Sequence, residues 1–599
     1  MTETGPNQPR LAPKRGDEDF AVFRDEGIYY ADKTQFLKPL FSGTGSRLLL
    51  LRPRRFGKTL TMSTLRRFLE IDFQNPGDTS RQQELFRGLK VMDDREFCEE
   101  HMGRYPVVSV SLKSADGVAY DDAFERLAGV ISRLAWNFSW LDGPDLTEKE
   151  HVFLDRLSDF DYLRQPAGRG FAEQSLVFLC RLLRKCFGDS HKPVLLIDEY
   201  DVPLQKAAAG GYYEPMNRLV GTMLNRALMD RDDICKVILT GCLPATGEAI
   251  FTGVNGLCID TVLARGNGLS AAIGFTPAEA RAMLGYYGFG DLYEKAAGWY
   301  GGYSIGGEAL FCPWDITSHV RELCRSRDPA AVRPKSHWNL TSSSNFIAGF
   351  MPRLAPEDAE CLQDLIAGRS ISLPAYKGMS YGTLDFNNLR SSEFWNILIY
   401  TGYLTLSGTG SGGANELRIP NKEILGYFRD NISGYYRNTW SREYDTLVRG
   451  LMERLLSGDS GGAEDSMSAL LGGFVPLEEN APKAPHGDFY RSFLDSLFAA
   501  AEHSISDCRV LYGSGFAEIT FRSAGGTMAV VIRIEYAPDS TAGLHTLADR
   551  ALEHLEENVC AKALLSQTKI THIAECGMAF RGRSCAVSCR ELLPETPGA

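Results

Sequence analysis

The sequence lacks several features that would place it in a well-defined class. It contains no run of about 18 or more apolar residues, so we expect no membrane-spanning helix. Its polar start carries no apolar h-region, which predicts no signal peptide. The 14 cysteines include no CxxC pair and the ten histidines no HxxxH pair, so we expect neither a zinc site nor a disulfide scaffold. These absences predict a cytoplasmic protein with reduced thiols.

An excess of positive charge is also missing. The formal net charge is −12, so no global field attracts nucleic acid, and any such contact would need a local basic patch. The 599 residues are 44% hydrophobic and 23% charged, which is typical of soluble globular proteins. This length predicts about three domains, each able to bury its own core.

Short apolar runs alternate with helical periodicity in the N-terminal half. The runs predict buried strands at 47–51, 106–112, 193–197 and 236–240. Helical spacing predicts the intervening helices at 59–70, 123–136, 172–187 and 213–226. Buried strands that alternate with helices predict a parallel α/β sheet.

The pattern changes after residue 274. A mostly helical region follows, in which a Gly/Ser turn at 407–413 joins two short strands, and 457–465 (SGDSGGAED) has the composition of a linker. A helix from about residue 489, strands at 517–521 and 528–536, and a helix at 547–565 predict a small α/β domain. The predicted division is a flexible tail 1–19, an α/β domain 20–275, a helical middle region 276–465 and a C-terminal domain 486–599.

Residues 52–59 (RPRRFGKT) lie between the first predicted strand and the first predicted helix, the setting that a phosphate-binding loop requires. Gly57 allows the tight turn, Lys58 can reach the β- and γ-phosphates, and the Thr59 hydroxyl can ligate Mg²⁺. The strict pattern GxxxxGK[ST] has Gly where Arg52 stands, and the alternative is a basic turn before a surface helix. The predicted nucleotide-binding residues are Arg54, Arg55, Phe56, Gly57, Lys58 and Thr59.

The strand at 193–197 ends in Asp198 and Glu199, as in a Walker B element. Asp198 would hold Mg²⁺ through water, and Glu199 would orient the attacking water. The alternative is an ordinary strand that ends in a solvated acidic turn. Thr240, at the end of the next strand, is a candidate sensor of the γ-phosphate, or else a hydroxyl that caps the following loop.

With these segments the chain resembles a bacterial family, the AAA-ATPase-like proteins that pair a P-loop domain with a C-terminal domain of the PD-(D/E)XK nuclease superfamily. RPRRFGKT is the family's own form of the loop. The resemblance implies an AAA-like ATPase fold that uses ATP and Mg²⁺. Further matching segments are YADKT (30–34), LIDEYD (196–201), WYGGY (299–303), PW (313–314), YTGYL (400–404) and IPNKE (419–423).

The chain departs from the family in two places. Pro244 and Gly247 stand where the family carries Arg and Lys, which implies slow hydrolysis. In the C-terminal domain Arg533 and Glu535 stand where the family has Glu and Lys. Since Arg cannot ligate a metal, the resemblance implies a broken nuclease site in which Arg533 pairs with Glu518, although a metal site built from Glu518 and Glu535 remains an alternative.

Three functions stay open at this point. The chain is a slow Mg²⁺-dependent ATPase that switches a degenerate nuclease-like domain, an ATP-gated nuclease acting on DNA or RNA, or a non-catalytic nucleotide-responsive protein that binds nucleic acid or a protein partner. Arg52, Arg54 and Arg55 form a basic cluster that would contact nucleotide phosphate, DNA phosphate or only solvent. Trp299, Tyr300 and Tyr303 would stack on bases or pack as an aromatic turn. Assembly as a homo-oligomer is compatible with each function.

Overall fold

A computed structural model of the chain gives the fold. It describes residues 13, 16–141, 146–190, 192–244, 249–265, 268–337, 356–366, 368–374, 390–409, 414–474, 490, 494, 497, 517–522, 527–536, 543–555, 570–581 and 584–592. Most of the predicted tail 1–19 therefore lies outside the described residues. Its last residue is ordered, because the Asp19 side chain caps the first helix and pairs with Arg67.

The chain forms two compact units. The first unit contains residues 1–337 and 372–423, and the second contains residues 338–371 and 424–599. The predicted middle region 276–465 is therefore shared between the two units.

The first unit is built on a parallel sheet of five strands in the order β2-β3-β4-β1-β5. The four strands predicted from apolar runs are confirmed, and all residues of β1, β3 and β4 are buried. The fifth strand was not predicted, because its sequence LCID is short and only partly buried. This sheet fits a P-loop-like domain. The strands are β1 (Arg47–Leu51), β2 (Val107–Ser111), β3 (Val194–Asp198), β4 (Lys236–Gly241) and β5 (Leu257–Asp260).

Helices connect these strands, as the periodicity predicts. Eleven helices of the first unit, α1–α11, span Phe20–Asp25, Leu37–Phe41, Lys58–Leu69, Ser80–Phe86, Arg95–His101, Tyr120–Trp136, Glu148–Ser158, Phe160–Leu163, Arg169–Phe187, Val202–Gly210 and Tyr213–Met229. The connecting helices bury one apolar stripe each; in α6 this stripe includes Phe124, Leu127 and Ile131. Their packing leaves the carboxyl ends of the strands available for a binding site.

The remainder of the first unit mixes helices with short strands. The two short strands predicted here are confirmed as β9 and β10, which pair antiparallel, and β8 pairs with β10. The predicted turn 407–413 is wrong for its first three residues, which belong to β9. The helices α12–α14 span Pro277–Tyr286, Tyr293–Tyr300 and Pro313–Arg325, and the hairpin β6–β7 spans Tyr303–Ile305 and Glu308–Leu310. The other elements are β8 (Ile371–Leu373), helix Ser391–Thr401 (α16), β9 (Thr405–Thr409) and β10 (Asn415–Arg418).

The second unit contains a four-stranded sheet in the order β11-β12-β13-β14. Its central pair β12–β13 is parallel and both outer pairs are antiparallel. The two predicted strands are confirmed, whereas β13 and β14 were not predicted. The elements are α15 (Pro356–Ile366), α17 (Lys422–Leu456, whose first two residues belong to the first unit), α18 (Ser460–Phe474), β11 (Ala517–Arg522), β12 (Met528–Tyr536), α19 (Leu544–Glu553), β13 (His572–Arg581) and β14 (Ser584–Leu592).

The predicted linker 457–465 is wrong beyond its first three residues, because α18 begins at Ser460. Ala463 and Met467 of this helix are fully buried in the core of the second unit. Helical spacing of apolar residues therefore outweighs the Gly/Ser composition. The expectation of reduced thiols also fails for one pair, since Cys576 and Cys589 face each other across β13 and β14 and form a disulfide.

Side chains of β12 alternate between two cores. Val530, Ile532 and Ile534 face the core that contains α18, whereas Ala529 and Val531 face the opposite side, near the end of α19.

Among the described residues, the structure contains no helix with the length and hydropathy of a membrane span.

Candidate functional site

The phosphate loop connects β1 to α3 through a left-handed turn. Gly57 has φ 101° and ψ 22° and directly precedes the first helical residue, Lys58. No side chain caps this helix end, so the backbone N–H groups of its first turn point toward the loop with their partial positive charge. This is the arrangement in which backbone amides bind phosphate oxygens.

Lys58 is buried within the loop, with 3% of its side chain exposed. Its Nζ donates to the carbonyl oxygens of Arg52 and Pro53, at 3.2 and 3.3 Å. The same Nζ lies 3.3 Å from the Cys242 sulfur and 3.5 Å from a carboxylate oxygen of Glu199. The ammonium group therefore sits where the loop, β3 and β4 converge.

The surroundings of Lys58 keep it charged. Burial alone would lower the pKa of Lys58. Cys242 and the carboxylates of Glu199, Asp198 and Asp201 instead raise this pKa above its ordinary value. Burial in turn raises the pKa of the Cys242 thiol to about 11. At neutral pH the pair is an ammonium group beside a neutral thiol, so a full positive charge is available for phosphate.

Asp198 joins the loop to the next two strands of the sheet. The Thr59 hydroxyl donates to one oxygen of Asp198 at 2.7 Å, and the Thr240 hydroxyl donates to the other oxygen. Burial raises the pKa of Asp198, and these two hydroxyl donors lower it in part. Because β4 lies between β3 and β1, the carboxyl ends of β3 and β4 meet the start of α3, which follows β1, at this point. A carboxylate beside a threonine hydroxyl matches the Mg²⁺ ligands of P-loop proteins.

Glu199 follows Asp198 in a backbone conformation that is unusual for a residue with a side chain, with φ 51°. Its carboxylate is 17% exposed and contacts Lys58. Backbone strain of this kind costs about 1–3 kcal/mol and concentrates at functional sites. The structure thus brings Lys58, Thr59, Asp198, Glu199 and Thr240 together.

Asp201 is a site residue that the sequence interpretation did not assign. One of its oxygens accepts from the backbone N–H groups of Cys242 and Leu243, at 2.9 and 3.0 Å. The residue is 1% exposed, and it fixes the backbone that follows Thr240. A Cβ at Gly241 would lie 2.5 Å from the Tyr200 ring and 2.7 Å from Asp201. The signal in the sequence was the second Asp of the DEYD segment.

Arg52 is not part of a basic cluster that faces phosphate, so that prediction is wrong for this residue. Its side chain is fully buried, and a terminal nitrogen lies 2.7 Å from the equally buried carboxylate of Asp260 in β5. The same nitrogen donates to the Leu269 carbonyl at 3.2 Å. Where the strict pattern has Gly, this chain therefore has an internal ion pair that ties the start of the loop to the edge strand.

The side chains of the other predicted loop residues make contacts within the first unit. Arg54 donates to Gln205 at 2.9 Å. The Arg55 guanidinium lies 4.8 Å from the centre of the Trp314 ring. Phe56 is 1% exposed and packs edge-on against Tyr303. The positive charge of Arg54 lowers the pKa of the Cys242 thiol, so this side chain lies near the ammonium group of Lys58.

The aromatic segment 299–303 packs inside the first unit. Tyr300 and Tyr303 are nearly fully buried, at 0% and 2% exposure. Tyr300 stacks on His337, with ring centres 5.8 Å apart. This arrangement agrees with a packed aromatic turn and leaves neither tyrosine ring available to a base.

The first departure from the family pattern follows β4. Pro244 is buried directly after the backbone that Asp201 holds, and it offers no charge. Gly247 lies outside the described residues.

In the second unit, Arg533 and Glu535 share the face of β12 that is turned toward α19. Arg533 is 8% exposed and donates to the His554 carbonyl at 3.4 Å, and Glu535 lies 3.5 Å from the His554 ring. The register places Glu518 of β11 directly opposite Arg533, while the side chain of Glu518 lies outside the described part. The helix approaches closely here, because a Cβ at Gly577 would lie 2.1 Å from the backbone of α19.

Two comparisons bear on this site. Residues 14–251 match the family model described as predicted AAA-ATPase. An uncharacterized protein in the vnfD 5'region of Azotobacter chroococcum mcd 1 is 26% identical over 497 residues, which is 81% of this chain and 82% of that protein. The family match contains every residue of the site from Gly57 to Thr240. Similarity to such a domain suggests nucleotide binding, and the match does not include the second unit.

Proposed function

We propose that the chain binds ATP with Mg²⁺ in the first unit and hydrolyses it slowly, as a switch for the second unit. The convergence of Lys58, Thr59 and Asp198 at the N-terminus of α3 carries this proposal. It unites the three groups that phosphoryl chemistry requires, namely a cation, a metal-binding oxygen pair and backbone N–H donors.

Each residue has a separate role in this proposal. Lys58 leaves the loop carbonyls and binds the β- and γ-phosphates. Thr59 and Asp198 would hold Mg²⁺, which would offset the charge of the phosphates. Glu199 orients the water that attacks the γ-phosphate, and Thr240 reports the state of the γ-phosphate to Asp198.

The proposed slow rate of ATP hydrolysis rests on the residues that follow Thr240 in the chain. A basic residue that stabilises the transition state can be worth several orders of magnitude in rate. Buried Pro244 cannot supply this charge. The proposal therefore assigns the chain a long-lived ATP-bound state, which suits a switch better than a motor.

Calorimetric titration of the whole chain with ATP, with Mg²⁺ and with EDTA, tests the binding proposal. We expect saturable binding that is tighter with Mg²⁺, because the metal offsets the negative charge of Asp198 beside the phosphates. Equal heats with and without Mg²⁺ would remove the metal from the proposal, and the absence of any binding would refute it.

For the second unit we propose a nuclease-superfamily fold that does not cleave, and that binds nucleic acid or a protein partner under control of the first unit. The observation that favours this is the position of Arg533 on the face where a metal-binding carboxylate would stand. Arg533 is nearly buried, so its charge would repel a divalent cation at short range.

Restoring the pattern tests this proposal. We expect the variant that combines Arg533→Glu with Glu535→Lys to gain Mg²⁺-dependent cleavage of DNA, while the wild-type chain shows none. Gel assays with single- and double-stranded DNA, with and without EDTA, measure the gain. A matched control exchanges the charges of the pair Glu575 and Arg590 on β13 and β14, which should create no activity. Robust cleavage by the wild-type chain that is lost in Glu518→Ala would contradict the proposal.

A further inference from the structure

The two residues before Gly57 are anchored by a part of the first unit outside the parallel sheet. The Arg55 carbonyl accepts from the Cys312 thiol at 3.6 Å. The Phe56 carbonyl accepts from the Gly274 N–H at 3.1 Å. Because the N–H group of a trans peptide points opposite to its carbonyl, the N–H groups of Phe56 and Gly57 point away from this anchor.

The Arg55 side chain strengthens this anchor. One terminal nitrogen donates to the His337 carbonyl at 2.6 Å, and the guanidinium lies 4.8 Å above the Trp314 ring. Arg55 has φ 68°, a conformation that costs a residue with a side chain about 1–2 kcal/mol. Stacking of a cation on an aromatic ring and a charged hydrogen bond together offset that cost.

The neighbouring Phe56 ring fits a closed space. It contacts Tyr303 edge-on, with ring centres 5.1 Å apart. A Cβ at Gly274, whose φ is 100°, would lie only 3.2 Å from the Phe56 ring. The loop is therefore held on its outer side by backbone bonds and by both side chains.

Behind Arg55 lies a buried pair of carboxyl groups, Asp315 and Glu423. They are 0% and 1% exposed, and the charge of Glu423 acts on Asp315. Glu423 also accepts from the His337 N–H, and it thereby fixes the residue whose carbonyl binds Arg55. Burial and then Glu423 raise the pKa of Asp315, while the charge of Arg55 lowers it. The Arg55 guanidinium therefore lies close to the buried carboxyl groups of Asp315 and Glu423.

We propose that Arg55 is a positioning residue that sets ATP affinity through Trp314 and His337, without touching phosphate itself. The inference rests on the proposed function and deepens it. It gives a role to the segments PW (313–314) and IPNKE (419–423), neither of which contributes a residue to the proposed binding of phosphate and Mg²⁺. The anchor holds the left-handed turn of the loop in its anion-binding form before the nucleotide arrives.

A double-mutant cycle tests the anchor. Arg55→Ala and Trp314→Ala are each expected to weaken ATP affinity about tenfold, as loss of a partly desolvated cation–π contact implies. The double variant should be no weaker than Arg55→Ala, because Trp314 acts on the loop only through Arg55. ADP affinity should fall by the same factor, since a loop held by its backbone does not discriminate the γ-phosphate.

Conservative variants separate the anchor from a direct phosphate contact. Trp314→Phe should retain most of the affinity, since the ring remains. Arg55→Lys should behave like Arg55→Ala. The planar guanidinium can stack on the Trp314 ring and donate to the His337 carbonyl at the same time, and an ammonium group cannot. Arg156→Ala is the matched control, since this arginine lies 5.1 Å over the Tyr162 ring, remote in sequence from the loop, and should bind ATP as the wild type does.

The opposite pattern would overturn the inference. If Arg55 touched phosphate, Arg55→Lys would retain affinity, ATP would be affected more than ADP, and Trp314→Ala would bind normally. If Lys58→Ala weakens ATP binding while the Arg55 and Trp314 variants bind ATP with wild-type affinity, only this inference fails. If the wild-type chain binds no ATP, the proposed function fails instead. Thermal unfolding of each variant separates loss of the fold from loss of the anchor.

Discussion

Lys58→Ala is expected to weaken binding of Mg²⁺–ATP by roughly 10- to 100-fold, because a hydrogen bond to a charged group contributes about 1.5–3 kcal/mol. Binding should not vanish, since the backbone N–H groups at the start of α3 remain. Titration calorimetry at one fixed salt concentration measures the change. AMP, which lacks the phosphates that Lys58 would reach, should be affected less than ATP.

The control for this variant is Lys185→Ala. Lys185 is 36% exposed on α9 and forms an ion pair with Glu150 at 2.8 Å, so its loss should leave ATP affinity unchanged. Because Lys58 is buried among carboxylates, circular dichroism should first establish that the variant is folded. A folded Lys58→Ala chain with wild-type affinity for ATP would show that the loop is not the nucleotide site.

Glu199→Gln is expected to keep ATP bound and to lower its turnover by about 100-fold or more, the usual contribution of a positioned general base. The amide keeps the shape of the side chain but cannot accept the proton of the attacking water. It also removes the negative charge 3.5 Å from Lys58, so ATP should bind at least as tightly as before. Single-turnover release of labelled phosphate over hours measures a slow rate reliably.

The matched control is Glu214→Gln, an exposed residue in the first turn of α11 that should not alter turnover. Wild-type turnover in Glu199→Gln would remove Glu199 from the mechanism. Rapid turnover by the unmodified chain without any partner would instead refute the role given to Pro244.

Local sequence was sufficient for the parts of the site that depend on local physics. Gly57 and Lys58 are encoded by one short motif and Asp198 by another, the acidic end of β3, so each could be chosen from the pattern of its immediate neighbours. Apolar runs likewise predicted four of the five strands, because a strand buried on both faces has a continuous apolar sequence.

What the sequence could not provide were the partners that distant segments supply. Arg52 was grouped with its basic neighbours, and only the fold reveals that Asp260, 208 positions further along, neutralises it. Asp201 was hidden for the same reason, since the backbone N–H groups that donate to its carboxylate belong to residues beyond Thr240. The short strand β5 carries no pattern of its own and exists because β1 offers it an edge.

The order of the strands also determines when the nucleotide site can exist during synthesis. Thr59 and Asp198 are 139 positions apart, and β4, which must emerge later still, lies between their strands. A ribosome-bound chain therefore displays the phosphate loop long before the carboxylate and the Thr240 hydroxyl are available to complete it. A nucleotide that binds the complete site as proposed would therefore stabilise the chain after β3 and β4 have joined the sheet.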